Sequence, residues 1–191
     1  MSPAALNYAG QPAQAGAEPR KLHVIQGEFA VCDEPETMMT TILGSCVAAC
    51  MRDPVSGIGG MNHFLLPGDD GSSGLRYGVQ SMELLVNALL RRGARRDRLE
   101  VKLFGGARLV RGLTDVGTQN AAFAQQFLKD EGLTFAGGSL GGDRARRIQY
   151  WPVGGRARQT LLAPHESDVF AVEKRPALAP RQDDDGGLEL F

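Results

Sequence analysis

Apolar residues at Val79, Met82, Leu85, Val86, Leu89 and Leu90 recur at i, i+3 and i+4 intervals. That spacing lines one side of a helix, so it predicts an amphipathic helix over 79–92, closed by Gly93, with all six residues packed on a sheet. A second helix is predicted over 118–130, with Ala121, Ala124, Phe127 and Leu128 inward and Gly132 past its end. The other apolar runs are short and read as strands: 22–31 (broken at Gly27), 38–43, 47–51, 58–66, 99–104, 133–139, 147–153 and 157–162. Asp53-Pro54-Val55-Ser56-Gly57 has turn chemistry, because proline presets φ and glycine accepts positive φ. Two apolar runs around it predict a β-hairpin. Strands and helices do not alternate regularly, which points to an α+β fold with two sheets, or one strongly bent sheet, and helices outside.

The hairpin makes a geometric claim. With 53–56 as the loop and Arg52 opposite Gly57, Met51 faces Ile58, Cys50 faces Gly59 and Cys46 faces His63. Directly opposed residues have Cβ atoms about 4.5–5.5 Å apart. A thiol and an imidazole that close can share a proton, and the thiol becomes a candidate nucleophile. A bulge at Gly59-Gly60 would put the two on opposite faces. The residues alone leave other readings open. Cys46 could be a small buried hydrophobe, and His63 a hydrogen-bonded core histidine. His23, Cys32, Cys46, Cys50 and His63 could supply zinc ligands, although no C-x₂-C pair is present. Cys32 lies beside Asp33 and Glu34, which disfavour its thiolate.

Composition narrows the classes. The 191 residues, 42% hydrophobic, suit one domain with a sizeable core. A net charge of −1 makes no global case for nucleic acid or an anionic membrane. The arginines at 91, 92, 95, 96 and 98 lack interleaved aromatics and suit a helix C-terminus. No apolar run is long enough to span a bilayer, and no signal peptide is evident. Three cysteines do not make a disulfide framework, so a cytoplasmic location is expected. Residues 1–20 are expected to be a disordered leader, 21–172 the domain, and 173–191 a flexible tail. The 68–74 segment reads as a flexible acidic loop, and His165 as a solvent-exposed loop residue. Gly105-Gly106 marks a place where backbone comes close to something, without the pattern of a nucleotide loop.

Several blocks carry a resemblance. Thr40-Thr41-Ile42-Leu43-Gly44-Ser45-Cys46-Val47-Ala48, Asp53-Pro54 and Gly59-Gly60-Met61-Asn62-His63-Phe64-Leu65-Leu66-Pro67 are similar to the chemoreceptor glutamine deamidase family (CheD). Met82-Glu83-Leu84-Leu85 with Asn87-Ala88, Lys102-Leu103-Phe104-Gly105-Gly106-Ala107, and Gly141-Gly142-Asp143 before Arg146-Arg147 follow in the same order. The resemblance runs from about residue 24 to about residue 172.

The resemblance implies a β-sandwich core flanked by helices, similar to cysteine-dependent toxin deamidases. It implies Cys46 as nucleophile, His63 as acid and base, and Thr40, six residues before the cysteine, as the orienting hydroxyl. Thr41 then reads as an ordinary β-branched strand residue. Backbone N–H groups of the Gly44-Ser45 turn and of Cys46 are the expected oxyanion donors. Neither metal nor organic cofactor is required. The implied substrate is a glutamine of methyl-accepting chemoreceptors, with no nucleic acid and no membrane insertion. The alternative is a regulatory module that docks on a chemotaxis phosphatase with little catalysis of its own, and that phosphatase is also the second partner the resemblance allows. A further class, a cysteine amidase on small molecules, would need no groove for a helix.

Overall fold

The computed structural model describes residues 20–66, 72–109 and 115–163. The described elements are β1 (Lys21–His23), β2 (Phe29–Cys32), β3 (Met38–Leu43), β4 (Val47–Asp53), β5 (Ile58–Asn62), α1 (Ser72–Arg91), β6 (Glu100–Gly105), α2 (Val116–Asp130), β7 (Thr134–Leu140), β8 (Arg146–Trp151) and β9 (Arg156–Leu161). One sheet runs β1-β3-β8-β9 and the other β2-β5-β4-β6-β7.

Alternation along β4 shows how the layers stack. Val47, Ala49 and Met51 join Met82, Leu85 and Leu89 of α1 and Phe127 and Leu128 of α2 in one apolar core. Cys46, Ala48 and Cys50 point the other way, into a second core with Met39 and Leu43 of β3 and Ile148 and Tyr150 of β8. Successive strand residues face opposite sides, so one face of the five-stranded sheet carries the helices and the other faces the four-stranded sheet. This is the expected α+β class: two packed sheets with helices outside.

Several local expectations need correction. The run 22–31 is not one strand. Gly27 takes a φ of +87°, and the chain crosses there from β1 in one sheet to β2 in the other. Helix α1 begins at Ser72, so residues 72–74 are helical rather than loop. Val79 is 37% exposed, so five of the six stripe residues, not all six, pack inward.

The hairpin register is shifted by two: Asp53 pairs with Ile58, Met51 with Gly60 and Cys50 with Met61. The cause is Asp53 itself, a fully buried strand residue rather than the first loop residue. Its carboxylate accepts from the N–H groups of Val55, Ser56 and Arg95 and from the Arg98 guanidinium. Burial alone would raise its pKa, but those donors hold it well below the usual carboxylate range. No bulge interrupts the β4–β5 ladder. A slip of two residues preserves side-chain faces, where a slip of one would invert them.

The basic run is occupied by carboxylates: Arg92 pairs with Asp33, Arg95 with Asp97, Arg96 with Glu131 and Arg98 with Asp53. Among the described residues, no helix is long and apolar enough to cross a membrane. The expectations for residues 1–19, 67–71, His165 and the C-terminal tail lie outside the described residues.

Candidate active site

Cys46 sits at the mouth of β4, one residue before the strand begins. Its turn is held by three successive carbonyls. Gly44 O accepts from Ala107 N at 2.9 Å, Ser45 O from Asn120 Nδ2 at 2.9 Å, and Cys46 O from Gly106 N at 2.7 Å. Gly105 has a φ of +111°, and a Cβ there would run into the Cys46 carbonyl oxygen. The close approach expected at Gly105-Gly106 is therefore to the backbone of Cys46. In a trans peptide N–H and C=O point opposite ways, so anchoring the Ser45 carbonyl on α2 directs the Cys46 N–H away from that helix.

His63 follows the last residue of β5, and its backbone pairs with the segment between β1 and β2. Gly27 N donates to His63 O at 2.8 Å, and His63 N to Glu28 O at 3.0 Å. The β4–β5 register holds on both sides, at Cys50–Met61 and Val47–Phe64. Cys46 is therefore not directly opposite His63, as the predicted register had it, but one diagonal step away on the same face. Diagonal neighbours lie about 7–8 Å apart at the backbone and remain within reach of long side chains.

The imidazole is buried and well held. Its Nδ1 lies 2.9 Å from Thr41 Oγ1 and 3.4 Å from the Val24 carbonyl oxygen. A carbonyl can only accept, so the Val24 contact favours the tautomer with the proton on Nδ1 and the lone pair on Nε2. Nε2 is buried and has no hydrogen-bond partner among the described residues. Burial, partly opposed by the Val24 carbonyl, pushes the His63 pKa down to about 4. The ring is therefore neutral at pH 7.

The hydroxyl on that ring belongs to Thr41, not Thr40. Thr40 Oγ1 donates to Ile148 O at 2.8 Å within the four-stranded sheet. Parity explains the correction: Met39 and Leu43 face the second sheet, and Thr41 shares their side of β3. Gln26 went unnoticed in the sequence, and the Cys46 thiol donates to its Oε1 at 3.5 Å. Asn120 also went unnoticed, although a signal was present. It is a polar residue on the inward stripe of α2, beside Ala121 and Ala124, and it is fully buried.

The other cysteines have different surroundings. Burial pushes the Cys50 thiol far above its ordinary range, against a small opposing effect of Lys102. Burial also raises the Cys32 thiol, and the charges on Glu34 and Asp33 add to the effect. Among the described residues, no three of His, Cys, Asp and Glu come together as metal ligands would.

A family model and several similar proteins agree. A family model described as CheD chemotactic sensory transduction matches residues 65–160. A Rhizobium etli protein named "Probable chemoreceptor glutamine deamidase CheD" is 55% identical over 178 residues, covering 90% of this chain and 96% of its own. The chain belongs to the CheD family. An Agrobacterium fabrum relative of the same name is 57% identical over 169 residues, covering 86% of this chain and 93% of its own. One from Caulobacter is 55% identical over 175 residues, covering 90% and 93%. Family members of this length thus align along most of the chain. Among solved structures, a Neisseria meningitidis protein of family DUF152 covers 64% of this chain and 64% of its own, at 11% identity and a TM-score of 0.45. That likeness is too distant to carry an argument.

Proposed function

We propose that this chain is a protein-glutamine deamidase that converts glutamine side chains of methyl-accepting chemoreceptors to glutamate in the cytoplasm. Membership of the CheD family supports the substrate class, and the site supports the chemistry. The observation that carries the mechanism is the His63 ring: Nδ1 lies against Thr41, Nε2 is buried with no hydrogen-bond partner among the described residues, and the ring shares a sheet face with Cys46, one diagonal step away.

Nε2 takes the Cys46 proton as the sulfur attacks the substrate carboxamide carbon. The C=O π electrons move to oxygen and give a tetrahedral oxyanion. As that collapses, the C–N bond breaks, and the His63 imidazolium gives its proton to the departing ammonia. A thioester remains. Water, deprotonated by the neutral ring, then cleaves it and regenerates the thiol and a glutamate. Thr41 orients the ring and the Val24 carbonyl favours the tautomer with the proton on Nδ1, together the orienting part of a triad. The N–H groups of the Ser45–Cys46 turn are the proposed oxyanion donors, each worth about 2.7–4 kcal/mol. Each conversion adds a negative charge to a receptor helix, and repulsion between like charges at i, i+4 amounts to a few tenths of a kcal/mol. A module that only bound a phosphatase would need neither a thiol nor a bare imidazole nitrogen.

The test is mass spectrometry of a helical chemoreceptor fragment incubated with the wild type and with His63→Ala. Glutamine-to-glutamate conversion is expected with the wild type, and a rate at least about 10²-fold lower with the variant. Equal conversion by both proteins would refute the mechanism. No conversion by the folded wild type would refute the function.

A further inference from the structure

Asn120 lies in the second turn of α2 with no solvent exposure, although it is polar and far from the chain segments that carry Cys46 and His63. Both ends of its amide are engaged. Nδ2 donates to Ser45 O at 2.9 Å, and Oδ1 accepts from Leu66 N at 2.8 Å. Ser45 immediately precedes the thiol, and Leu66 lies three residues after the imidazole. One planar group therefore spans the turn that presents Cys46 and the segment that follows His63. The helix is pressed onto this region at Gly117, where a Cβ would meet the Ala107 and Gly106 carbonyls. The 106–107 segment in turn anchors Gly44 and Cys46. The seat of Asn120 is thus fixed from the helix side as well.

We propose that Asn120 is a positioning residue for the deamidation: its amide sets the Cys46 turn against the His63 segment. The inference rests on the catalytic reading of Cys46 and His63 given above. The residue type follows from the contacts. Only a carboxamide of this length can donate to one backbone and accept from the other at once. Aspartate keeps the shape and can accept from Leu66 N–H, but its ionised oxygen repels the Ser45 carbonyl. Small misplacement of a nucleophile is costly, so loss of the brace should appear in turnover more than in substrate affinity.

The experiment compares wild type, Asn120→Asp and Asn120→Ser, each shown to be folded by circular dichroism at the assay temperature. One readout is the kcat and KM for deamidation of the chemoreceptor fragment. The other is the rate of Cys46 alkylation by iodoacetamide at neutral pH, which needs no receptor substrate. The expected result for Asn120→Asp is a kcat lower by about 10²-fold, a KM within about twofold, and slower alkylation because the Cys46 turn is no longer held against the His63 segment. Asn120→Ser, smaller and uncharged, should show the same pattern and keeps the test decisive if the aspartate variant does not fold. A folded variant with wild-type kcat, or one that loses affinity while keeping turnover, would overturn the proposal. A wild type that alkylates at Cys46 but does not deamidate the fragment would instead count against the function itself.

Discussion

Cys46, one residue before β4, and Cys50, within it, lie four residues apart and point to the same side, both fully or almost fully buried and both in the same apolar cluster between the sheets. They differ in what surrounds the sulfur. Cys50 is mid-strand, opposite Met61, and burial drives its thiol out of the reactive range. Cys46 is at the strand mouth, where the β1–β2 segment, the turn before β4, the loop after β6 and helix α2 converge. A strand interior satisfies its backbone within the sheet and offers a side chain only apolar neighbours. Its end is where loops bring polar groups, and a buried thiol becomes useful only with such company.

The largest effect expected from this contrast comes from exchanging the two sulfurs for hydrogen in turn. Cys46→Ala should lower deamidation to background, a loss of at least about 10⁴-fold, because it removes one member of a unit that acts together. Cys50→Ala should stay within a few-fold of wild type in turnover and lower stability by about 1 kcal/mol through lost packing. Turnover and urea melts of both variants check this.

A smaller effect separates the two threonines. Thr41→Val keeps the branched shape and removes the hydroxyl on Nδ1, so turnover should fall by about 10-fold with melting nearly unchanged. Thr40→Val removes the bond to Ile148 O, so it should cost about 1 kcal/mol of stability and leave turnover near wild type. The reverse pattern would return the orienting role to Thr40.

The last effect is on stability against pH and needs no substrate to read. The folded His63 has a pKa of about 4, below its ordinary 6.5, so between those values the unfolded chain holds a proton that the folded protein refuses. Stability therefore falls as pH drops through that window, by up to about 3 kcal/mol from this group alone. His63→Gln should lose less stability than wild type between about pH 7 and about pH 4 in paired urea melts. For the same reason the acid limb of kcat/KM should lie near pH 4 rather than near 6.5.

Much of this was legible in the sequence. The stripe on α1, the two helices, the hairpin and the placement of Cys46 and His63 on one face could be read from spacing and turn chemistry. The register was not, because Asp53 reads as a turn residue until its four donors are seen to bury it in the strand. The choice between Thr40 and Thr41 was not legible either. Met38, Met39, Ile42 and Leu43 make both sides of β3 apolar, so no alternation tells which side meets the second sheet. Val24, Gln26 and Asn120 reach the site through long-range packing, which local pattern does not encode.

On the proposed mechanism, reactivity belongs to Cys46 and not to its neighbours on the sheet. The most direct measurement is iodoacetamide labelling of the folded protein at neutral pH, with the modified cysteine mapped by peptide mass and deamidation assayed at each time point. Cys46 is buried, so labelling is expected to be slow and to depend on local opening at the strand mouth. The account predicts that it occurs at Cys46 first and in step with loss of deamidation, while Cys32 and Cys50 stay unlabelled until the protein unfolds. Persistent deamidation with Cys46 fully blocked, or activity lost in step with Cys50 labelling, would contradict it.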